Sequence, residues 1–302
     1  MDERITLIFD GGMASYGRLD LYDASTSMLG AARVFSILGH YYQTGRIISK
    51  APKSLADVYI EPAEDGSFRQ QIIIGVTTAM ITAPFTIFAE RIFDNWFPKP
   101  NDEMQQVIDL LREQNKILKG QQKVSEKKDA IEREQKRSVD QFIEGHATEI
   151  HVIRSIVAKS TKDMFRPVGR SAEYLAITRG SQRHPISALG VEGVRQLEYS
   201  IQDEKVSTVV GVVNAFSRSS KSGALFSPEL ERGMLFSYDH QGTLPAGDDF
   251  SWSQYTRRPL EFRGRYERFF DGSVKRFWVH QTNRVEAGEP SEVARADIFD
   301  FD

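Results

Sequence analysis

The densest run of chemistry-bearing side chains lies between Trp252 and Trp278. Arg257, Arg258, Arg263, Arg265, Arg268, Lys275 and Arg276 are interleaved there with Tyr255, Phe262, Tyr266, Phe269, Phe270 and Phe277. Guanidinium groups neutralise phosphates, and aromatic rings stack bases at roughly 1–3 kcal/mol each, so the mixture suits a single-stranded nucleic acid or a nucleotide. Successive residues of a strand face opposite sides, which places Arg263 and Arg265 in one row and Phe262 and Gly264 in the other. Arg218 and Lys221, in the serine-rich stretch 217–222, offer a further phosphate clamp. A plainer reading stays open beside this one: aromatics as core and arginines as a solvated face, with Glu261, Glu267 and Asp271 offsetting part of the charge.

No catalytic set is legible elsewhere. The six histidines (His40, His146, His151, His184, His240 and His280) are scattered, and no pair has HExxH spacing. The chain has no cysteine, which removes disulfides, thiolate metal sites and cysteine nucleophiles. P-loop, GxGxxG and GxSxG motifs are missing. Asp239-His240 and Asp248-Asp249 are too isolated to make a site. Asp10-Gly11-Gly12, after a strand, has the flexibility to cradle a phosphate, but a plain tight turn is the commoner use of that triplet. An enzyme is therefore the weaker reading, and the sequence asks for no cofactor or metal.

The elements that must position these residues fall into four regions. In a chain of 302 residues, 40% hydrophobic and 27% charged, global disorder is not expected. Residues 1–69 read as a small α+β unit: strand Ile5–Phe9, a turn, an alternating strand Arg18–Tyr22, a helix through Met28–Leu38 ended by Gly45, and a strand Asp57–Glu61. Residues 70–98 read as a transmembrane segment. Gln70–Ala89 is a run of 20 without a charge, about the length that crosses ~30 Å of hydrocarbon. On a helical projection Gln71, Gly75, Thr78, Thr82 and Thr86 share one face, the stripe of a bundle or of a pore lining. Pro84 would kink that helix. The competing reading is a buried helix of a soluble protein.

Residues 99–145 read as a polar helix. Met104, Ile108, Leu111, Asn115 and Leu118 repeat at the 4-3-4-3 spacing of a coiled-coil seam, which would make it an oligomerising helix; a solvated linker is the alternative for 119–140. Residues 146–302 read as a helical lead-in followed by strands Val206–Ala215, Gly233–Tyr238, Leu260–Tyr266 and Lys275–His280. Their turns suggest a small β-barrel serving as a ligand-binding sensor, with an acidic tail over Glu286–Asp302. The fold class expected is thus an α+β membrane protein. Met1-Asp2-Glu3-Arg4 is no secretory signal, so insertion would come from the internal segment.

This order of parts resembles the transmembrane effector subunits (HalA-like) of Hailong-type bacterial nucleotide-signalled anti-phage systems. The resemblance covers the layout and rests on no diagnostic motif. It implies a homo-oligomeric ion channel, with a tetramer as the working count, in the bacterial inner membrane with its sensor domain cytoplasmic. Its ligand would be a single-stranded DNA oligomer, an oligodeoxyadenylate made by a partner nucleotidyltransferase. Loss of that ligand during infection would open the channel and arrest growth. A single span separates two parts that both look cytosolic, and a re-entrant bend at Pro84 or an interfacial Met28–Tyr42 would relieve this. The alternative is a non-conducting membrane-anchored scaffold or a soluble nucleic-acid-binding protein.

Overall fold

Strand β1 (Asp2–Asp10) is the middle of a five-stranded antiparallel sheet. The computed structural model describes residues 2–61, 68–76, 79–119, 126–179, 184–230, 232–238, 248–285 and 299–300. They fall into two units, 1–146 with 157–198, and 147–156 with 199–302.

In the first unit, β1 leads through the turn Asp10-Gly11-Gly12 into a 3-10 turn (Gly12–Tyr16). Asp10 Oδ1 accepts from the Gly11 N–H and the Ser15 hydroxyl, both at 2.8 Å, so a carboxylate occupies the turn where a phosphate would have to sit. Arg18–Tyr22 is not a strand. Asp20 accepts from the Asp23 N–H and caps helix α1 (Leu21–Thr44). A Cβ at Gly30 would lie 2.5 Å from the Ser160 carbonyl oxygen, so only glycine permits this close approach. The short strand β2 (Ile47–Ile48) and the edge strand β3 (Asp57–Ile60) follow.

The segment Gln70–Ala89 is not a membrane helix. Its first part belongs to strand β4 (Phe68–Gly75), paired to β1 through Leu7↔Gln70, Ile5↔Ile72 and Glu3↔Ile74 and to β3 on the other side. Gln70, Ile72 and Ile74 are buried on one face, and Gln71 and Ile73 are half-buried on the other. A strand buried on one face and half-covered on the other has little room for charge, as a lipid-embedded helix has none, so the run alone cannot separate them. Residues 79–84 are irregular backbone. Helix α2 (Phe85–Trp96) then starts, so Pro84 precedes a helix instead of kinking one. Glu3 caps it, Oε1 accepting from the Phe85 N–H at 2.6 Å and Oε2 from the Thr86 N–H at 2.7 Å. No described helix is long and apolar enough to cross a membrane. The expected α+β membrane protein is corrected accordingly.

The expected stripe dissolves with it. Gln71 and Gly75 lie on β4, Thr82 is exposed in irregular backbone, and Thr86 is buried in the first turn of α2. Thr78 lies outside the described residues. No common face, and so no pore or bundle lining, joins the four that are described.

Helix α3 (Asp102–Lys119) spends its seam on its own unit. Met104 and Ile108 are buried, and Val107 and Leu111 pack beside them, against Ile8, Ala176 and Ala188. The side chains of Asn115 and Leu118 lie outside the described part. Helix α4 (Glu126–Gly145) is a packed element. Val139 is fully buried, Phe142 meets Tyr41 and Phe88, and Arg91 of α2 binds Asp140 through two contacts of 2.7 and 2.6 Å. Helix α5 (Ala147–Met164) contributes residues to both units. Strands β5 (Tyr174–Arg179) and β6 (His184–Gly190), with α6 (Val191–Glu198), complete the sheet in the order β3-β4-β1-β5-β6. Buried Glu90 is matched by Lys136 at 2.9 Å and Arg179 at 2.8 Å, which tie α2 to α4 and β5.

The second unit is a closed barrel. After β7 (Ser200–Gln202), strands β8 (Ser207–Ser217), β9 (Ser222–Ser227) and β10 (Arg232–Tyr238) form a meander. Helix α7 (Asp249–Thr256) follows, capped by Asp248, and then β11 (Leu260–Phe269) and β12 (Val274–Arg284). The ring runs β8-β9-β10-β12-β11 and back to β8, with β10 and β12 parallel and the other pairs antiparallel. Val209, Val213, Leu225, Met234, Phe236, Leu260, Phe262, Phe277 and Val279 fill it, together with Phe250 of α7. Gly264 lies opposite a bulge in β12, where His280 is the extra residue, and a Cβ at Gly264 would lie 2.0 Å from the Trp278 carbonyl oxygen.

Candidate nucleic-acid interface

The strand alternation expected for β11 sorts its residues into two sets. Phe262 and Gly264 are buried inside the barrel, while Glu261, Arg263, Arg265 and Glu267 face outward. On β12, Phe277 and Val279 are inside and Arg276 and Trp278 outside. Register sets the outward side chains against one another: Arg265 stands opposite Trp278, and Glu267 opposite Arg276.

The same register carries on around the barrel. Trp278 pairs with Ser237 of β10, Ser237 with Ser222 of β9, and Ser222 with Ser217 of β8. Arg265, Trp278, Ser237, Ser222 and Ser217 therefore form one row on the outer side of five strands, with Ser237 at its middle buried and the others at least partly exposed. Four strand spacings of about 4.8 Å make it about 19 Å long. At its far end Ser217 and Ser222 flank the turn that holds Arg218 and Lys221.

Glu267 organises the near end. It accepts from the Trp278 indole N–H at 2.9 Å, from Lys275 at 2.7 Å and from the Ser200 hydroxyl at 2.8 Å. Burial pushes its carboxyl up, but these hydrogen bonds more than offset that and hold it below the ordinary carboxylate value. Arg276 donates to the Ser237 hydroxyl at 2.8 Å, and its guanidinium lies 5.6 Å from the centre of the Trp278 ring. Arg263 and Arg265 have no carboxylate within ion-pair distance among the described residues. One Arg265 nitrogen, Nε, is buried without a hydrogen bond. Four cations thus share this face with two carboxylates, and its two unpaired arginines are adjacent.

The other residues expected from the sequence are placed as follows. Phe262 is core, and Tyr266 packs edge-on to Phe277 at 4.9 Å. Arg268 is engaged by Asp203, with three contacts of 2.9 to 3.1 Å, which raises its pKa further. Phe269 and Phe270 lie 4.2 and 5.8 Å from the Arg154 guanidinium, which is itself paired with Asp271 at 2.6 Å. Tyr255 is 91% exposed near the end of α7, and Arg257 and Arg258 are exposed just before β11. Arg218 pairs with buried Asp248 at 2.9 Å, and Lys221 adopts φ 50°. Asp239 and His240 lie outside the described residues, as does the acidic tail apart from 299–300.

Sequence reasoning missed Trp278 and Ser237 as members of this face, and it took Glu267 only as offsetting charge and Ser217 and Ser222 only as part of the stretch that carries Arg218 and Lys221. Alternation in Val274–Arg284 already set Trp278 opposite Phe277 and Val279. Ser237 carried no signal, because only cross-strand register brings it and the 217–222 serines beside Trp278.

Residues 5–191 match a protein family described as a domain of unknown function, DUF7946. The match covers more than half of the chain and ends before the barrel. No curated protein and no solved structure matches the chain.

Proposed function

We propose that this chain, which belongs to the DUF7946 family, binds a single-stranded oligonucleotide on the outer face of its C-terminal barrel. The observation that carries this reading is the outward row from Arg265 through Trp278 to Ser217, with unpaired Arg263 and Arg265 at one end. Unpaired guanidiniums bind phosphates without first breaking an ion pair, hydroxyls donate to phosphate and sugar oxygens, and the row is as long as a few nucleotides. A fold-level analogy supports it. A five-stranded Greek-key barrel is the architecture of the OB-fold, which binds oligonucleotides and oligosaccharides.

The resemblance to Hailong-type effectors makes oligodeoxyadenylate the first ligand to try. The channel that went with that resemblance depended on the membrane helix and is not part of the proposal. The test is fluorescence anisotropy of the full chain with a labelled single-stranded oligodeoxyadenylate and with duplex DNA, across a salt series. Binding of the single strand that weakens on Arg263→Glu with Arg265→Glu is expected. Equal affinity of the double variant would return these arginines to a solvated outer face.

A further inference from the structure

Resting on that reading, we propose that Trp278 is the stacking platform for one base of the bound strand, so that the ligand must carry a nucleobase and not merely a chain of phosphates. A tryptophan on the outer face of a barrel strand normally hides its ring in a neighbouring element or leaves its N–H to water. Here the indole N–H is spent on Glu267 at 2.9 Å, and Glu267 is itself held by Lys275 and Ser200. That hydrogen bond fixes the edge of the half-buried ring, and Arg276 lies over one of its faces, so the opposite face is the one a base would use. The flanking groups are those that a nucleotide needs. Arg265 stands across the strand pair, Ser237 lies on the other side in register, and Arg276 is 5.6 Å from the ring centre. Ser237 is buried and holds Arg276, so a base on the ring would have its neighbouring phosphates within reach of the Arg265 and Arg276 guanidiniums. Glu267 acts as a positioning residue, since it reaches the ligand only through Trp278 and Lys275.

The experiment scans a single abasic site along an oligodeoxyadenylate of fixed length and charge, against the full chain and its Trp278→Ala and Trp278→Phe variants. For the unmodified protein, one abasic position should weaken binding by about 5- to 150-fold, the range for loss of one stacked base. Trp278→Ala should weaken binding of the intact strand by a similar factor and flatten the scan, and Trp278→Phe should retain the position dependence. A flat scan with the unmodified protein, or an equal loss for intact and abasic strands in Trp278→Ala, would overturn the stacking role while leaving phosphate binding in place. Failure of the unmodified protein to bind any strand would instead overturn the proposed function, and the stacking role with it. Thermal unfolding of each variant checks that the barrel is intact.

Discussion

Trp278 and Glu267 meet on the outside of the barrel, the indole N–H donating to the carboxylate at 2.9 Å. Because that carboxylate is held below its ordinary value, it contributes stability at neutral pH that is lost as pH falls through its folded-state pKa. The unfolded chain, with the higher pKa, takes up the proton first. Glu267→Gln should therefore lower thermal stability at pH 7, and the deficit should shrink as pH drops below about 4. Unfolding midpoints from pH 7 to 3 check this; a deficit independent of pH would assign the loss to packing.

The two kinds of arginine on β11 should separate. Arg263→Ala and Arg265→Ala together should reduce the slope of log affinity against log salt for single-stranded DNA by about 1.4, two phosphate contacts at roughly 0.7 each. Arg268→Ala should leave that slope unchanged and lower the unfolding midpoint, since Arg268 already holds Asp203. Paired salt titrations and melting curves give both readouts.

Glu3 ties the first strand to α2 by capping its first two N–H groups. Glu3→Ala should cost about 1–2 kcal/mol, the upper part of the range for losing a helix cap. Glu3→Gln should cost less, because one amide oxygen still accepts. Urea denaturation resolves a difference of this size.

Glu90 is buried between Lys136 and Arg179. Removing one partner from a buried ion group leaves charge uncompensated, so Glu90→Ala should destabilise by about 3 kcal/mol. Glu132, which also contacts both cations, keeps the loss at the lower end of that range. Replacing Glu90 and Lys136 together by Leu and Met should recover part of it in the same denaturation assay.

Gly264→Ala would set a methyl group 2.0 Å from the Trp278 carbonyl oxygen. Backbone cannot yield as a side chain can, so a loss of about 2–3 kcal/mol is expected, with a changed near-ultraviolet circular dichroism spectrum.

Local order was legible without coordinates where one short-range rule decided it. The alternation in β11 put Phe262 inside and Arg263 and Arg265 outside from residue types alone, because side chains on a strand repeat every two residues. Ile5–Phe9 read as a strand, and Gly45 closed α1, for reasons equally local. Gln70–Ala89 was different. Its freedom from charge reflects β4 being buried on one face and half-buried on the other within a sheet completed by residues 174–190, and nothing within the run itself records that. Met104 and Ile108 carried a seam spacing whose partner only the fold could name, and it is the chain's own sheet. The outward row shows the same division. The sequence by itself determined that arginines and a tryptophan would face away from a core, since that follows from strand period. That Arg265, Trp278, Ser237, Ser222 and Ser217 stand side by side was decided by tertiary structure alone, because register between strands depends on bulges and closure of the whole ring.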